Sequence, residues 1–190
     1  MSYVPGQITF SNSVTNTSLD AFGRLRVGNP YTMFDSQNRY AIDNQFDTST
    51  ASGGATTYLP NESSVSLDVT AASGSEVVRQ TFRSFSYQPG KSLLVLATFV
   101  MNAPKANLRQ RVGYFGTDNG VFLELNGTTE PRFVMRTSTS GSVSDARFAA
   151  QSAWNVDKLN GAGPSGLTLD LTKDQIMWMD FEWLGMGNVR

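Results

Sequence analysis

The chain has 190 residues and a formal net charge of −1, a length that fits one domain with an arm better than two full domains. It contains no cysteine and no histidine, which excludes disulfides, cysteine-ligated metals and catalysis by Ser-His-Asp or Cys-His groups. The near-neutral charge argues against nucleic acid or an anionic membrane as a partner, and no apolar stretch is long enough to cross a bilayer.

Residues 1–43 are predicted to form an extended N-terminal arm. Isolated apolar residues are separated there by polar ones, with no helical period. In an extended strip, Leu25 and Val27 point to one side while Arg24 and Arg26 point to the other. Such a strip can join the edge of a partner's sheet and offer two guanidinium groups to its carboxylates. An ordinary first strand of the domain fits the same pattern equally well.

Residues 44–61 are poor in apolar residues and rich in Ser, Thr, Ala and Gly. This composition predicts a flexible connector between the arm and the rest of the chain.

Residues 62–190 carry a series of short strand patterns separated by Gly, Pro and Asn turns. Alternation and turn signals place the predicted strands at residues 64–70, 77–87, 92–101, 109–115, 121–125, 132–137, 146–150, 167–171 and 176–184. Residues 92–101 are apolar on both faces, which predicts a central strand. The series predicts an all-β fold, an antiparallel β-sandwich or jelly roll. The chain stops just after a strand, so we expect further residues or a neighbouring chain to complete this domain.

Several polar groups are candidates for chemistry. Asp180 and Glu182 share one strand face, as a glycosidase pair would, but Trp178 and Leu184 stand where a third carboxylate is usual. Asp118 with Asn119, or Asp157 with Asn160, supplies only part of a calcium site. We therefore expect no catalytic residue, no metal and no cofactor.

Two side-chain types recur on the predicted strands. Trp154, Trp178 and Trp183 form either a sugar-stacking platform or part of the core. Planar arginine forks on strands suit specific ion pairs across an interface, although solvated strand faces explain them as well. The arginines concerned are Arg79, Arg83, Arg109, Arg111, Arg132 and Arg136.

The sequence motifs at both ends of the chain are more specific than the strand and turn patterns above require. The distinctive stretches are MSYVPGQITF at residues 1–10, LDAFGRLRV at 19–27, NPYTMFD at 29–35, WNVDKLNG at 154–161, GPSG at 163–166, QI at 175–176 and DFEWLG at 180–185. They resemble a family of virion structural proteins of tailed bacteriophages, many of which infect cyanobacteria. The resemblance implies a particle component with a lectin-like sandwich, and it does not fix a position on the virion.

These observations together predict a non-enzymatic virion protein of fibre or adaptor type. It is assembled in the host cytoplasm, and its arm docks to another particle protein of the neck, tail or capsid. We expect homo-oligomers, which are trimers if the protein is a fibre. The alternatives are a module that binds host-surface carbohydrate, a capsid decoration protein and, least favoured, a glycosidase. The residues predicted to dock are Phe10, Phe22, Arg24, Leu25, Arg26 and Val27.

Overall fold

The computed structural model describes residues 31–88, 91–183 and 187–189, and it confirms the all-β prediction. Apart from one 3-10 turn, Gln151–Ala153, the regular elements of these residues are all strands. None of the described residues belongs to a helix of the length and apolarity that spanning a membrane demands. The strands are β1 Phe46–Ala51, β2 Ala55–Leu59, β3 Ser64–Asp68, β4 Glu76–Thr81, β5 Leu93–Phe99, β6 Arg109–Phe115, β7 Gly120–Asn126, β8 Arg132–Thr137, β9 Ser144–Ala150, β10 Gln175–Trp183 and β11 Gly187–Val189.

The chain divides into two compact units, whose described parts are residues 31–87 for the first unit and residues 88, 91–183 and 187–189 for the second. In the first unit β1 pairs with β4 and β2 pairs with β3, both antiparallel. Three aromatic rings meet there, since Phe34 lies 5.6 Å from Phe46 and 5.4 Å from Phe85 between ring centroids. The guanidinium of Arg79 lies 4.5 Å from the ring centre of Phe46. A small aromatic cluster therefore organises this unit.

The predicted connector at residues 44–61 is wrong, because β1 and β2 lie inside it. Low apolar content suggested a loop, but a backbone ladder does not require apolar side chains on both strands. β-Branched threonines suit a strand, and Thr50 of β1 lies opposite Val77 of β4, which supplies the apolar side chain. The predicted sandwich boundary at residue 62 is corrected as well, because β3 and β4 belong to the first unit.

The predicted arm falls in two parts. Residues 1–30 lie outside the described residues, so the arm remains a prediction there. Residues 31–43 contain neither helix nor strand, and they are tied into the first unit by Phe34 and by Asp43, whose carbonyl accepts a hydrogen bond from Arg79 Nη2 at 3.1 Å.

The second unit contains two antiparallel sheets. One has the strand order β11-β10-β5 and the other has the order β6-β7-β8-β9. Alternate residues of both sheets pack together in one apolar core. Leu123 and Leu125 of the larger sheet lie in this core together with Met177 and Met179 of the smaller sheet. The unit is therefore sandwich-like, with two layers around a single core.

Strand positions within the second unit match the sequence patterns closely. The bounds predicted for β6 and β8 are those observed. The predicted hairpin is also present: β6 and β7 pair across a loop of residues 116–119. Two expectations are wrong. Among the described residues β5 pairs with β10 alone and is not central, and residues 167–171 form only a single bridge, Asn160 with Thr168.

The β6–β7 hairpin depends on glycine at its first β7 position. Gly120 has φ +144°, and a Cβ built on it would lie 2.2 Å from the Cα of Phe115. Gly116, in the same loop, has no atom within 4 Å of the corresponding position. The two glycines therefore form a matched pair in which only one is required by space and backbone angle.

We expect Gly120→Ala to lower the free energy of unfolding by about 1–3 kcal/mol, because the methyl group overlaps the neighbouring backbone. Gly116→Ala is the control and should leave stability unchanged or raise it by less than about 1 kcal/mol. Urea unfolding followed by tryptophan fluorescence measures both. Equal stabilities of the two variants would show that the hairpin tolerates a side chain at residue 120.

Candidate functional site

The residues predicted to dock lie outside the described residues. Phe10, Phe22, Arg24, Leu25, Arg26 and Val27 all precede residue 31. Their role therefore stays a prediction. The candidate site consists of other residues, all of which lie in the four-stranded sheet of the second unit.

Charged side chains converge on the face of this sheet that points away from the core. Val121, Leu123 and Leu125 point into the core, so the alternate residues of β7 point to the opposite side. The cross-strand partners of those alternate residues share that side. We call this the arginine face, and its charged members are Arg109, Arg111, Glu124, Arg132, Arg136 and Asp145.

Glu124 lies at the centre of the arginine face, and its side chain is fully buried. One carboxylate oxygen, Oε1, pairs with Nε of Arg109. The other, Oε2, accepts a hydrogen bond from Nε of Arg132 at 2.7 Å. A carboxylate removed from water is tolerated only when it is paired in this way. Glu124 thus joins β6, β7 and β8 through side chains in addition to the backbone ladder.

Asp145 of β9 is held by a bidentate contact with Arg136. Its Oδ1 accepts from Nε and its Oδ2 from Nη2 of that arginine, each at 2.9 Å. Oδ2 also accepts from Nη2 of Arg109 at 2.9 Å. The hydrogen bond from Arg136, helped by that from Arg109, holds the pKa of Asp145 far below its usual value. All four strands of the sheet are therefore linked through one chain of ion pairs.

Arg111 stands directly opposite Glu124 in the β6–β7 register, yet it does not pair with it. Within the described part of the chain no carboxylate lies within 4.0 Å of its guanidinium, which packs instead on aromatic rings. The distances from its central carbon to the ring centres of Phe115 and Phe122 are 5.7 Å and 5.9 Å. Burial lowers the pKa of Arg111, and the charges of Arg109 and Arg136 lower it further.

Aromatic side chains complete the arginine face. Phe122 is fully buried, and the guanidinium of Arg136 lies 5.3 Å from its ring centre. Phe148 is 52% exposed, and the central guanidinium carbon of Arg132 lies 4.6 Å from its ring centre. Such contacts between a cation and an aromatic ring are favourable and restrict the position of each guanidinium. The arginine face thus consists of guanidinium groups that are packed against aromatic rings.

The paired carboxylates singled out in the sequence occupy a different environment. Asp180 and Glu182 lie on β10, on the side away from Met179 and the core, and they are 0% and 2% exposed. A glycosidase needs its two carboxyl groups on either side of an accessible sugar. The burial of this pair does not provide that access.

The side chains of the two partial calcium sites accept hydrogen bonds from the backbone of loops. The side-chain oxygen of Asn119 accepts a hydrogen bond from the backbone nitrogen of Ser138 at 3.2 Å. The two oxygens of Asp157 accept from the backbone nitrogens of Leu159 and Ser165, each at 2.8 Å. Across residues 31–88, 91–183 and 187–189, no three acidic residues cluster in a way that would hold a metal ion.

Two of the three tryptophans point to different sides. Trp154 packs against Phe133 at the edge of the core, with ring centres 5.4 Å apart. Trp178 alternates with core residues Met177 and Met179 on β10 and so faces away from the core. These two rings do not share a platform. Trp154 does border an open cavity of about 310 Å³ beside residues 155–164.

The sequence patterns indicated four of the six charged residues of the arginine face, and they missed the two carboxylates. The patterns singled out the four arginines by their spacing on predicted strands, but they did not single out Glu124 or Asp145. A usable signal existed for Glu124: it interrupts the run Val-Phe-Leu-Glu-Leu at residues 121–125, and a carboxylate within a buried strand requires a cation on a neighbouring strand. Asp145 had no such signal.

Comparison of this chain with models of known families, with curated proteins and with solved structures gave no match.

We expect Glu124→Gln to lower the free energy of unfolding by about 3–5 kcal/mol, because it leaves Arg109 and Arg132 over a buried neutral amide. Glu76→Gln is the control, since Glu76 is exposed at the start of β4, and it should change stability by less than about 0.5 kcal/mol. Chemical unfolding of both variants measures this. A small effect of Glu124→Gln would mean that the ion pairs add little to the sheet.

Asp145 should also make stability depend on pH in the acid range. A carboxyl whose folded pKa is lowered contributes stability above its unfolded pKa of about 3.9 and loses that contribution as pH falls through the folded value. We expect Asp145→Asn to cost about 2 kcal/mol at pH 7 and to differ less and less from the wild type below about pH 4. Thermal unfolding between pH 7 and pH 2 tests this. Asp174→Asn, at an exposed residue directly before β10, is the control and should follow the wild type throughout. If the stability of Asp145→Asn also ran parallel to that of the wild type across this pH range, the prediction would be wrong.

Proposed function

We propose that this chain is a non-enzymatic structural protein of a bacteriophage particle, docked to another particle protein by its N-terminal arm. The likeness of its two ends to virion structural proteins of tailed phages supports the proposal. The composition supports it too, because a chain without cysteine or histidine lacks the most common nucleophile–base pairs.

The structural observation that supports the proposal most is that the two carboxylates of the arginine face are committed to its arginines. All four oxygens of Glu124 and Asp145 accept from arginines. A general acid or base needs a proton or lone pair available to a substrate in a cleft. Paired groups on a sheet face, stacked with aromatic rings, instead have the composition of protein contact surfaces, which are enriched in arginine and aromatic residues.

In the proposed attachment, the arm contributes apolar anchors and two cations. Phe10, Phe22, Leu25 and Val27 would bury apolar surface in the partner, and Arg24 with Arg26 would set the register by pairing with carboxylates. We further propose that the protein forms homo-oligomers and resides in the virion. Particle proteins are present in many symmetric copies, which favours a surface that meets its neighbours in one defined way.

Carbohydrate binding is the rival from another class, and the tryptophans give it little support. A sugar platform needs aromatic faces exposed side by side. Trp154 and Trp178 instead lie on opposite sides of β10 and the core. The particle role therefore accounts for more of the described residues than glycan recognition does.

We expect a variant lacking residues 1–30 to fold and to be lost from particles by at least about tenfold, since apolar anchors of an interface each contribute on the order of 2 kcal/mol. The deletion stops at residue 30 because Phe34 and Asp43 belong to the first unit. Purified particles from infected cells, quantified by mass spectrometry against a major particle protein, provide the measurement.

A charge variant sharpens the same experiment. Arg24→Gln with Arg26→Gln should reduce incorporation in the same direction, whereas Lys105→Gln with Lys173→Gln, at two exposed positions, removes equal charge and should not. Full incorporation of the truncated chain would show that the arm is not the docking device. Absence of the wild-type chain from particles would refute the particle role itself.

A further inference from the structure

We propose that the arginine face carries a second docking point, in which the guanidinium of Arg111 binds a carboxylate of an acidic segment of a neighbouring protein chain. The proposal rests on the particle role above, and it assigns a site and a partner chemistry to a surface separate from the arm.

Positive charge exceeds negative charge on the arginine face. Four arginines stand against two carboxylates, Glu124 and Asp145, a surplus of two positive charges. Asp118, in the loop after β6, is close enough to Arg136 to act on its pKa and offsets part of this surplus. Three of the four arginines are bonded to specific carboxylate oxygens, so the arginine without a carboxylate partner in the described residues is Arg111.

Arg111 is left without a carboxylate partner in the described part of the chain. Arg109, Arg132 and Arg136 occupy all the oxygens of Glu124 and Asp145. Arg111 is only partly exposed, and in the described part of the chain none of its N–H groups donates a hydrogen bond. A guanidinium keeps its charge under all ordinary conditions and has five N–H donors. A partly buried cation without an acceptor is a position where an added anion gains a strong contact.

Two aromatic rings restrict the guanidinium of Arg111 before any partner binds. Its central carbon lies 5.7 Å from the ring centre of Phe115 and 5.9 Å from that of Phe122. A guanidinium held against rings in this way loses little further freedom when it binds, and its fork of N–H groups matches the two oxygens of a carboxylate. The pKa of Arg111 is lowered first by burial and then by the charges of Arg109 and Arg136, and the more weakly acting carboxylates Glu124 and Asp145 offset only part of this lowering.

A protein carboxylate fits this site better than other anions do. Nucleic acids and sulfated polysaccharides bind through many cations in a row, but three of the four cations here are already paired with carboxylates. Small molecules and sugars bind mostly in concave pockets, whereas this site lies on a strand face. Phe148, 52% exposed on the same face, adds the exposed aromatic group that accompanies arginine at the centre of protein interfaces. A single acidic side chain of another protein fits this arrangement best.

The test uses the full chain and a fluorescein-labelled oligoglutamate as the probe, with binding followed by fluorescence anisotropy at low salt. We expect Arg111→Gln to weaken binding by at least about tenfold, the size of a lost charge-assisted hydrogen bond. The matched control is Arg147→Gln. Arg147 is exposed on β9 and lies opposite Met135, on the other side of the sheet. The Arg147→Gln substitution therefore removes the same charge away from the arginine face, and it should change binding by less than about twofold.

Each outcome decides the proposal. No binding of oligoglutamate by the wild type, or equal losses in the two variants, would overturn it, because binding would then be absent or unspecific. Heparin or oligoalginate binding that depends on Arg111, without oligoglutamate binding, would assign the site to a polysaccharide and overturn the protein partner. If circular dichroism shows that Arg111→Gln is unfolded, Arg111→Lys replaces it; unchanged affinity of that variant would exclude the bidentate contact. Particle incorporation does not enter this assay, so its failure and failure of the arm are distinguishable.

Discussion

The buried carboxylate of Glu124 is the constraint on which the four-stranded sheet depends. It lies in a middle strand, with Arg109 and Arg132 on the strands to either side. Sliding β7 by one residue would turn Glu124 into the core and expose Leu123 and Leu125. Either error is costly, since a charge would lose its partners and apolar surface would meet water. The ion pairs thus fix the register that the apolar residues alone would also favour.

The same constraint explains why the arginine face is rigid. Each of its two carboxylates pairs with arginines of two other strands. A guanidinium in this chain of ion pairs therefore cannot move without disturbing a neighbouring group. Arg136 is held twice, by both oxygens of Asp145 and by the ring of Phe122. A surface built in this way loses little side-chain freedom on contact with a partner. On the proposed docking role, the ion pairs that hold the sheet together would also prepare this face for a partner.

The sequence predicted local features well and long-range ones poorly. β6 and β8 were placed at their observed bounds because alternation and turns are local signals. β1 and β2 were missed because they lie in a segment rich in Ser, Thr, Ala and Gly, and because strand partners such as Val77 and Val65 lie outside that segment. For the same reason, arginine spacing was visible while the pairing of Arg136 with Asp145 was not: a register shift between Met135 and Thr137 places Thr137 opposite Ser144 and so turns Asp145, instead of Ala146, onto the arginine face.

Two attachment points would behave differently from one in the proposed assembly. The proposed arm would bind the partner but leave the orientation of the body undefined, whereas the arginine face would set that orientation through one guanidinium that has no carboxylate partner in the described residues. With the arm bound, the partner's acidic group would meet Arg111 at an effective concentration on the order of millimolar, as a short tether provides. A contact too weak to form between separate molecules would then form within the complex. One unpaired guanidinium would be sufficient in that setting, because binding of the arm would already have offset most of the entropic cost of association.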